Sequence, residues 1–236
     1  MPFYWLDERI AFPDPELAES DGLLAVGGDL TVERLLLAYQ MGIFPWYSHP
    51  DPILWWAPDP RFVMLPEDIK VARSMRPILN QRRFHITYDQ DFESVIDNCQ
   101  QAPRAGQRDG TWITPEMRAA YLRLHGLGLA HSVEAWQDGE LVGGLYGVSL
   151  GSVFFGESMF AKRSNASKAA FITLVRDLQV ANFTLIDAQI RTSHLESLGA
   201  KLIPRRHFNQ QLNEGLEKKT IRGDWGSYFQ KDQNLE

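Results

Sequence analysis

Two apolar runs in the second half of the chain carry polar groups where a core strand would carry none. Val153-Phe154-Phe155-Gly156-Glu157-Ser158-Met159-Phe160 and Leu185-Ile186-Asp187-Ala188-Gln189-Ile190 are rich in β-formers and are predicted strands. The first closes a three-strand meander: His131–Trp136, an Asp138-Gly139 turn, Leu141–Leu150, then Ser152–Phe160. Between the two runs a helix is predicted over Ala166–Ala181, with Phe171, Leu174, Val175 and Leu178 as its apolar stripe and Asn182 as its stop. After Ile190 follow a short helix near Ser193–Leu198 and a last strand at Ala200–Ile203.

Upstream, Thr31 caps a helical run from Val32 to Met41 that ends at Gly42. A helix at 67–76, a strand at Phe84–Tyr88 and a helix near 91–101 come next. Thr114-Pro115-Glu116 then starts another helix, with a cap, a Pro in the first turn and an acid at the positive end. Meander, helix, strand, helix, strand is the order of an α+β fold with a mixed sheet. Residues 1–63 are rich in Pro, Gly and Trp, and the length suits either one large domain or a small α/β one at 1–63 followed by a larger one at 64–236. Three tryptophans, Trp46, Trp55 and Trp56, fall in a loop-like stretch, where they either plug a small core or line a site.

Side chains alternate along a strand, so Asp187 and Gln189 share one face. A carboxylate in such a strand costs several kcal/mol unless it is paired or hydrogen-bonded. Positions of this kind are candidates for chemistry.

The chain has 236 residues, 44% of them hydrophobic, enough for a real core. One cysteine, Cys99, excludes an intrachain disulfide, fits a reducing compartment and is expected to be inert. Neither a signal segment nor an apolar run of membrane-spanning length is visible, so a soluble cytoplasmic protein is expected. The net charge of −6 argues against bulk nucleic-acid binding. The charge is uneven, however: residues 69–83 hold Lys70, Arg73, Arg76, Arg82 and Arg83 and no acid. Spaced by three, Lys70, Arg73 and Arg76 would share a helix face, either as a solvated surface or as a phosphate-binding stripe. His125 and His131 lack the usual metal spacing, and no metal site is expected.

Several segments together resemble the bacterial leucyl/phenylalanyl-tRNA–protein transferase family. They are Gly22–Leu30, Gly42–Trp46, Trp55–Arg61, Gly110-Thr111-Trp112-Ile113-Thr114, Gly156–Phe160 and Ile203-Pro204-Arg205-Arg206, in the family's order over roughly residues 10–210. The resemblance implies a small N-terminal domain followed by a mixed-sheet domain of the Gcn5-related acetyltransferase (GNAT) type. It implies transfer of Leu or Phe, and Met less well, from aminoacyl-tRNA to the α-amine of a protein beginning with Arg or Lys, which marks that protein for degradation. The tRNA would be held by its 3′ end and acceptor stem. No metal, organic cofactor or membrane is implied, and a monomer is expected.

Carried over by position, Asp187 and Gln189 match the family's catalytic pair, and Glu157 a third site position. Trp46 and Trp112 match tryptophans near the 3′ adenosine, with Tyr39 assisting. Thr192 stands where relatives often carry Asn, which puts a substrate-orienting role there in doubt. The segment Ala161–Lys168 contains no glycine, whereas coenzyme A-binding relatives of the fold use a glycine-rich turn there. It offers instead a helix start, hydroxyls and cations, Lys168 among them, either as an ordinary capped helix with exposed lysines or as a seat for a phosphate of the tRNA end.

The implied reaction, aminolysis of an activated ester, needs alignment, removal of a proton and a place for an oxyanion. A serine or cysteine nucleophile is not required, and no Gly-x-Ser-x-Gly turn is present. A carboxylate bonded to the Gln189 amide could polarise its carbonyl toward the amine, with Asp187 expected in that part; alternatively Gln189 only positions the amine. Glu157 could orient the adenosine, the amine or the acceptor's cationic side chain. Leu and Phe share no polar handle, so the amino-acid pocket should be apolar. Leu145, Phe154, Met159, Phe171, Leu174 and Ile186 are its candidates. An acyl-CoA-dependent N-acyltransferase and a non-catalytic aminoacyl-tRNA-binding module are the alternatives.

Overall fold

The computed structural model describes residues 4–102 and 111–229, so Gly110 of the resemblance lies outside them. The chain begins with β1 (Tyr4–Leu6), β2 (Leu23–Gly27), α1 (Val32–Gln40), β3 (Phe44–Pro45) and β4 (Leu54–Trp56). It continues through β5 (Arg61–Met64), α2 (Met75–Asn80), β6 (His85–Tyr88), α3 (Phe92–Gln101) and α4 (Pro115–Gly126). The meander is β7 (Ala130–Gln137), β8 (Glu140–Leu150) and β9 (Val153–Ala161). Then come α5 (Ala166–Val180), β10 (Leu185–Gln189), α6 (Ser193–Ser197), β11 (Lys201–Ile203), α7 (Arg205–Leu216) and α8 (Trp225–Phe229).

The first four strands form one sheet in the order β1-β2-β4-β3. The other seven form a second, in the order β11-β5-β10-β9-β8-β7-β6. Its pairs are antiparallel except β9 with β10, so the sheet is mixed and the fold α+β, as the element order predicts. The stretch read as loop-like holds two short strands, β3 and β4. Trp55 is wholly buried there, its indole N–H donated to the Gly27 carbonyl at 2.9 Å. β5 pairs with β10 and β11, so the larger sheet already begins at Arg61, ahead of the division expected at 63/64.

One apolar face of the large sheet packs against α5 through Phe171, Ile172, Leu174, Val175 and Leu178. The other packs against residues of α1, α3, α4 and α7, in a core continuous with the small sheet through Phe44 and Trp55. A side chain at Gly143 would meet the Ala166 Cβ at 2.6 Å; its absence lets the start of α5 sit directly on β8. The helix expected at 67–76 is not formed. A 3-10 turn covers Pro66–Asp68, Lys70 N–H bonds the Leu198 carbonyl at 2.8 Å, and α2 starts only at Met75. That start puts Pro77 in the first turn, where its missing N–H costs nothing. The helix α7 was not foreseen; it buries Phe208, Leu212 and Gly215. Among the described residues no helix is long and apolar enough to cross a membrane.

Candidate active site

The site follows from the way two parallel strands part. β9 and β10 pair at Leu185–Val153, Ile186–Phe154 and Asp187–Phe155, and there the pairing stops. The residues beyond, Gly156 to Met159 on one side and Ala188 to Ile190 on the other, line a cavity of about 630 Å³. Its size and its apolar lining suit a small-molecule site. Leu145, Phe154, Met159, Phe171 and Ile186 are all in its wall, as expected of the amino-acid pocket. Leu174 is not: it is wholly buried one turn further along α5, inside the core.

Asp187 and Gln189 are near one another but are not bonded side chain to side chain as expected. The register of β10 shifts between them, and Gln189 sits in the left-handed region at φ 61°. Such a conformation costs about 1–3 kcal/mol for a residue other than glycine and persists where its surroundings dictate it. Here Asp187 does so: its Oδ1 accepts the backbone N–H of Gln189 at 3.0 Å. The carboxylate also takes a bidentate bond from Arg61, whose Nε donates to Oδ1 at 2.8 Å and Nη2 to Oδ2 at 2.7 Å. Both side chains are buried. The Arg61 guanidinium lies between the rings of Phe44 and Phe208, 4.6 Å from each centroid. Asp187 is absent from the cavity wall. It fixes the backbone of Gln189 rather than polarising its amide.

The carboxylate that meets the amide is Glu157. Gln189 Nε2 donates to Glu157 Oε1 at 3.0 Å. Tyr39 donates to the same oxygen at 2.8 Å and Tyr121 to Oε2 at 2.7 Å, and the two hydroxyls are 2.7 Å apart. Burial, with a smaller contribution from the Asp187 charge, pushes the Glu157 carboxyl up to about 7 against the three donors that favour its charge. Glu157 nevertheless remains partly open to the cavity. Burial also raises both tyrosines well above the ordinary phenol value, so they are neutral donors. Tyr39 is wholly enclosed and outside the cavity wall, so it holds Glu157 and does not stack on a base.

Trp46 and Trp112 are both in the wall. Trp46 is 39% exposed at the mouth, whereas Trp112 is nearly covered. Ser167 lines the cavity near the start of α5, and Lys168 is close enough to His194 to lower its pKa, second to the effect of burial. Asn165 precedes α5 at φ 70° without a side-chain capping bond. Thr192 caps α6, accepting the Leu195 N–H at 3.2 Å, and lines the cavity as well. Lys70, Arg73, Arg76, Arg82 and Arg83 are all exposed, but on the loop and helix of residues 70–83 rather than along one helix. Cys99 is buried in α3. Sequence reasoning missed Arg61, Tyr121 and His194. For Arg61 there was a signal, a cation opening the apolar run Arg61-Phe62-Val63-Met64.

Comparison with known proteins identifies the family of the chain. Residues 63–213 match the family profile of leucyl/phenylalanyl-tRNA protein transferase, and residues 28–59 that of its N-terminal domain. The transferase of that name from Desulfatibacillum aliphaticivorans is 59% identical over 95% of this chain and 96% of its own. That from Syntrophus aciditrophicus is 56% identical over 97% and 95%. A GCN5-related N-acetyltransferase from Kribbella flavida superposes only weakly, with a TM-score of 0.36 at 14% identity over 72% of this chain and 59% of that one. Matched along nearly its whole length by relatives of a single name, this chain belongs to the leucyl/phenylalanyl-tRNA–protein transferase family of aminoacyltransferases.

Proposed function

We propose that the protein moves Leu or Phe, and Met less well, from the 3′ end of aminoacyl-tRNA to the α-amine of proteins beginning with Arg or Lys, as a mark for degradation. The observation that carries this reading is the coincidence, on one cavity wall, of an apolar pocket with a Gln189 amide held by Glu157. The Leu or Phe side chain lodges against Leu145, Phe154, Met159, Phe171 and Ile186. The terminal adenosine rests on Trp46 and Trp112, where a stacked base is worth about 1–3 kcal/mol. Ser167 and Lys168 take a phosphate of the tRNA end, and Lys70, Arg73, Arg76, Arg82 and Arg83 meet the acceptor stem. The larger sheet with its helices is read as a GNAT-type domain, working as a monomer in the cytoplasm.

In this reading the amide of Gln189 points its carbonyl oxygen at the incoming amine, because its nitrogen is committed to Glu157. Asp187 and Arg61 hold the backbone from which that amide projects. The amine attacks the ester directly, without a covalent enzyme intermediate, and alignment supplies much of the barrier reduction. The test mixes the protein with Leu-tRNA and a peptide beginning with Arg, without coenzyme A. The peptide mass should rise by one leucine residue. No product, or product only with an acyl-CoA, would refute the reading.

A further inference from the structure

Tyr39, Tyr121 and Glu157 form a closed triangle of oxygens. The three contacts, Tyr39 to Glu157 Oε1, Tyr121 to Glu157 Oε2 and hydroxyl to hydroxyl, measure 2.8, 2.7 and 2.7 Å. Each is a hydrogen-bond distance and each requires one proton. With the carboxyl ionised, the triangle owns two protons, one on each phenol. If both point at the carboxylate, the hydroxyl–hydroxyl contact has none. If one points at the other hydroxyl, an oxygen lone pair faces the carboxylate instead. One short contact is left without a proton in either arrangement, in a place where Tyr39 and Tyr121 are wholly buried.

A third proton completes the ring. Placed on Oε2, it is donated to the Tyr121 oxygen; Tyr121 then donates to Tyr39, and Tyr39 to Oε1. The Gln189 amide still donates to Oε1. Every contact is then filled and runs head to tail, the arrangement in which hydrogen bonds reinforce one another. The triangle is one proton short when Glu157 is charged and complete when it is neutral.

We propose that this ring is the proton acceptor of the transfer reaction: the attacking amine gives its proton to Glu157 at the cavity wall, and the ring stores it until the ester oxygen departs. The inference rests on the aminoacyl-transfer reading and adds the route of the proton to it. The step balances within the substrates. The neutral amine forms the new C–N bond to the ester carbon, and its surplus proton passes to the carboxylate. The C–O bond to the ribose breaks, and the ribose oxygen takes the proton back from Glu157. The enzyme ends in its starting charge state, and no oxidant, metal or other reactant enters. Gln189 then orients the amine, while Glu157 removes its proton.

The charged and titratable neighbours of Glu157 are few. Tyr39 comes from α1 and Tyr121 from α4, with Tyr146 of β8 near both; Asp187 of β10, although paired with Arg61 of β5, still raises the Glu157 carboxyl. His194 of α6 lines the same cavity, and Lys168 of α5 is near it. The ordinary carboxyl value of Glu157, 4.5, is raised to about 7 by this burial, which suits a group that must take and return a proton near neutrality.

The experiment measures single-turnover transfer from Leu-tRNA against pH, using an Arg-starting peptide and its aminooxy-terminated analogue, whose nucleophile stays neutral over the range. The ordinary peptide establishes that transfer occurs at all, so failure of the functional reading is seen separately. With the analogue, wild type should lose rate as pH falls through about 7, and Glu157→Gln should abolish that limb and lower the rate about a hundredfold or more with tRNA affinity unchanged. Tyr39→Phe, Tyr121→Phe and the double variant should all lower the rate to the same extent, because either change opens the ring. Independently, infrared difference spectra should contain a protonated-carboxyl band that grows as pH falls through 7 and is missing in Glu157→Gln. A limb that persists in Glu157→Gln, additive tyrosine effects, or the absence of that band from wild type would each overturn the proposal.

Discussion

Replacing Asp187 by Asn should unsettle the protein far more than its small change in volume suggests. The wild-type carboxylate accepts two bonds from Arg61 and one from the Gln189 backbone, all at 3.0 Å or less and all buried. Asn keeps the size but removes the charge, leaving a guanidinium enclosed between Phe44 and Phe208 with no counter-ion. Removing one member of a buried pair costs about 3–5 kcal/mol, a large part of a typical total of about 5–15 kcal/mol. At a urea slope of about 2–3 kcal/mol per molar, the unfolding midpoint should fall by about 1–2.5 M. Tryptophan fluorescence follows the transition. Adding Arg61→Met to the Asn variant removes the stranded cation, so the double variant should recover part of the loss and be more stable than the sum of the single effects. A single-variant midpoint within about 0.3 M of wild type, or strictly additive losses, would refute the argument that the ion pair is a coupled, enclosed unit.

Further outcomes follow from the same geometry. Glu157 retains its proton in the folded protein up to about pH 7, whereas the unfolded chain releases it near 4.5. Its stabilising contribution is therefore present below pH 4.5 and lost as pH rises to 7, so Glu157→Gln should gain in urea midpoint over wild type across that window; a pH-independent difference would contradict this. Phe171→Ala enlarges the cavity floor and should raise the ratio of Phe to Leu transfer several-fold, in keeping with the 1–3 kcal/mol (roughly) that small apolar differences supply; an unchanged ratio would remove Phe171 from the pocket. Arg73→Ala should weaken tRNA binding and reduce its salt slope by about one while sparing turnover at saturation. Trp46→Ala should weaken binding of an aminoacyl-adenosine mimic by about 1–3 kcal/mol in a titration, and no loss would displace the base from that ring.

The two polar strands were legible because a carboxylate and an amide inside apolar β-structure violate the ordinary pattern. What they bond to was not. Asp187 finds Arg61 across 126 positions of sequence, and no local rule links a strand of one region to the opening of another. The left-handed backbone of Gln189 was equally hidden, because it is imposed by that distant pair rather than by a glycine. Tyr39 was expected to assist the tryptophans at the adenosine; only the packing of α1 against α4 shows its hydroxyl aimed at Glu157. The basic stretch was correct in charge and wrong in shape, since Pro77 governs where that helix starts. The helix α7 has a narrow apolar stripe, Phe208, Leu212 and Leu216, in an otherwise polar run, which is weak evidence for a helix until β5 and Arg61 are in place to receive it.

Arg61 joins parts of the chain that are synthesised far apart in time. One ring of its enclosure, Phe44, precedes it by 17 positions; the carboxylate it grips follows 126 positions later; the second ring, Phe208, comes later still. A growing or clipped polypeptide ending before Phe208 would have an open slot where that ring belongs, and water would reach the guanidinium. The surroundings of the Arg61–Asp187 pair, and with them the support beneath Gln189, are thus complete only once Phe208 is in place.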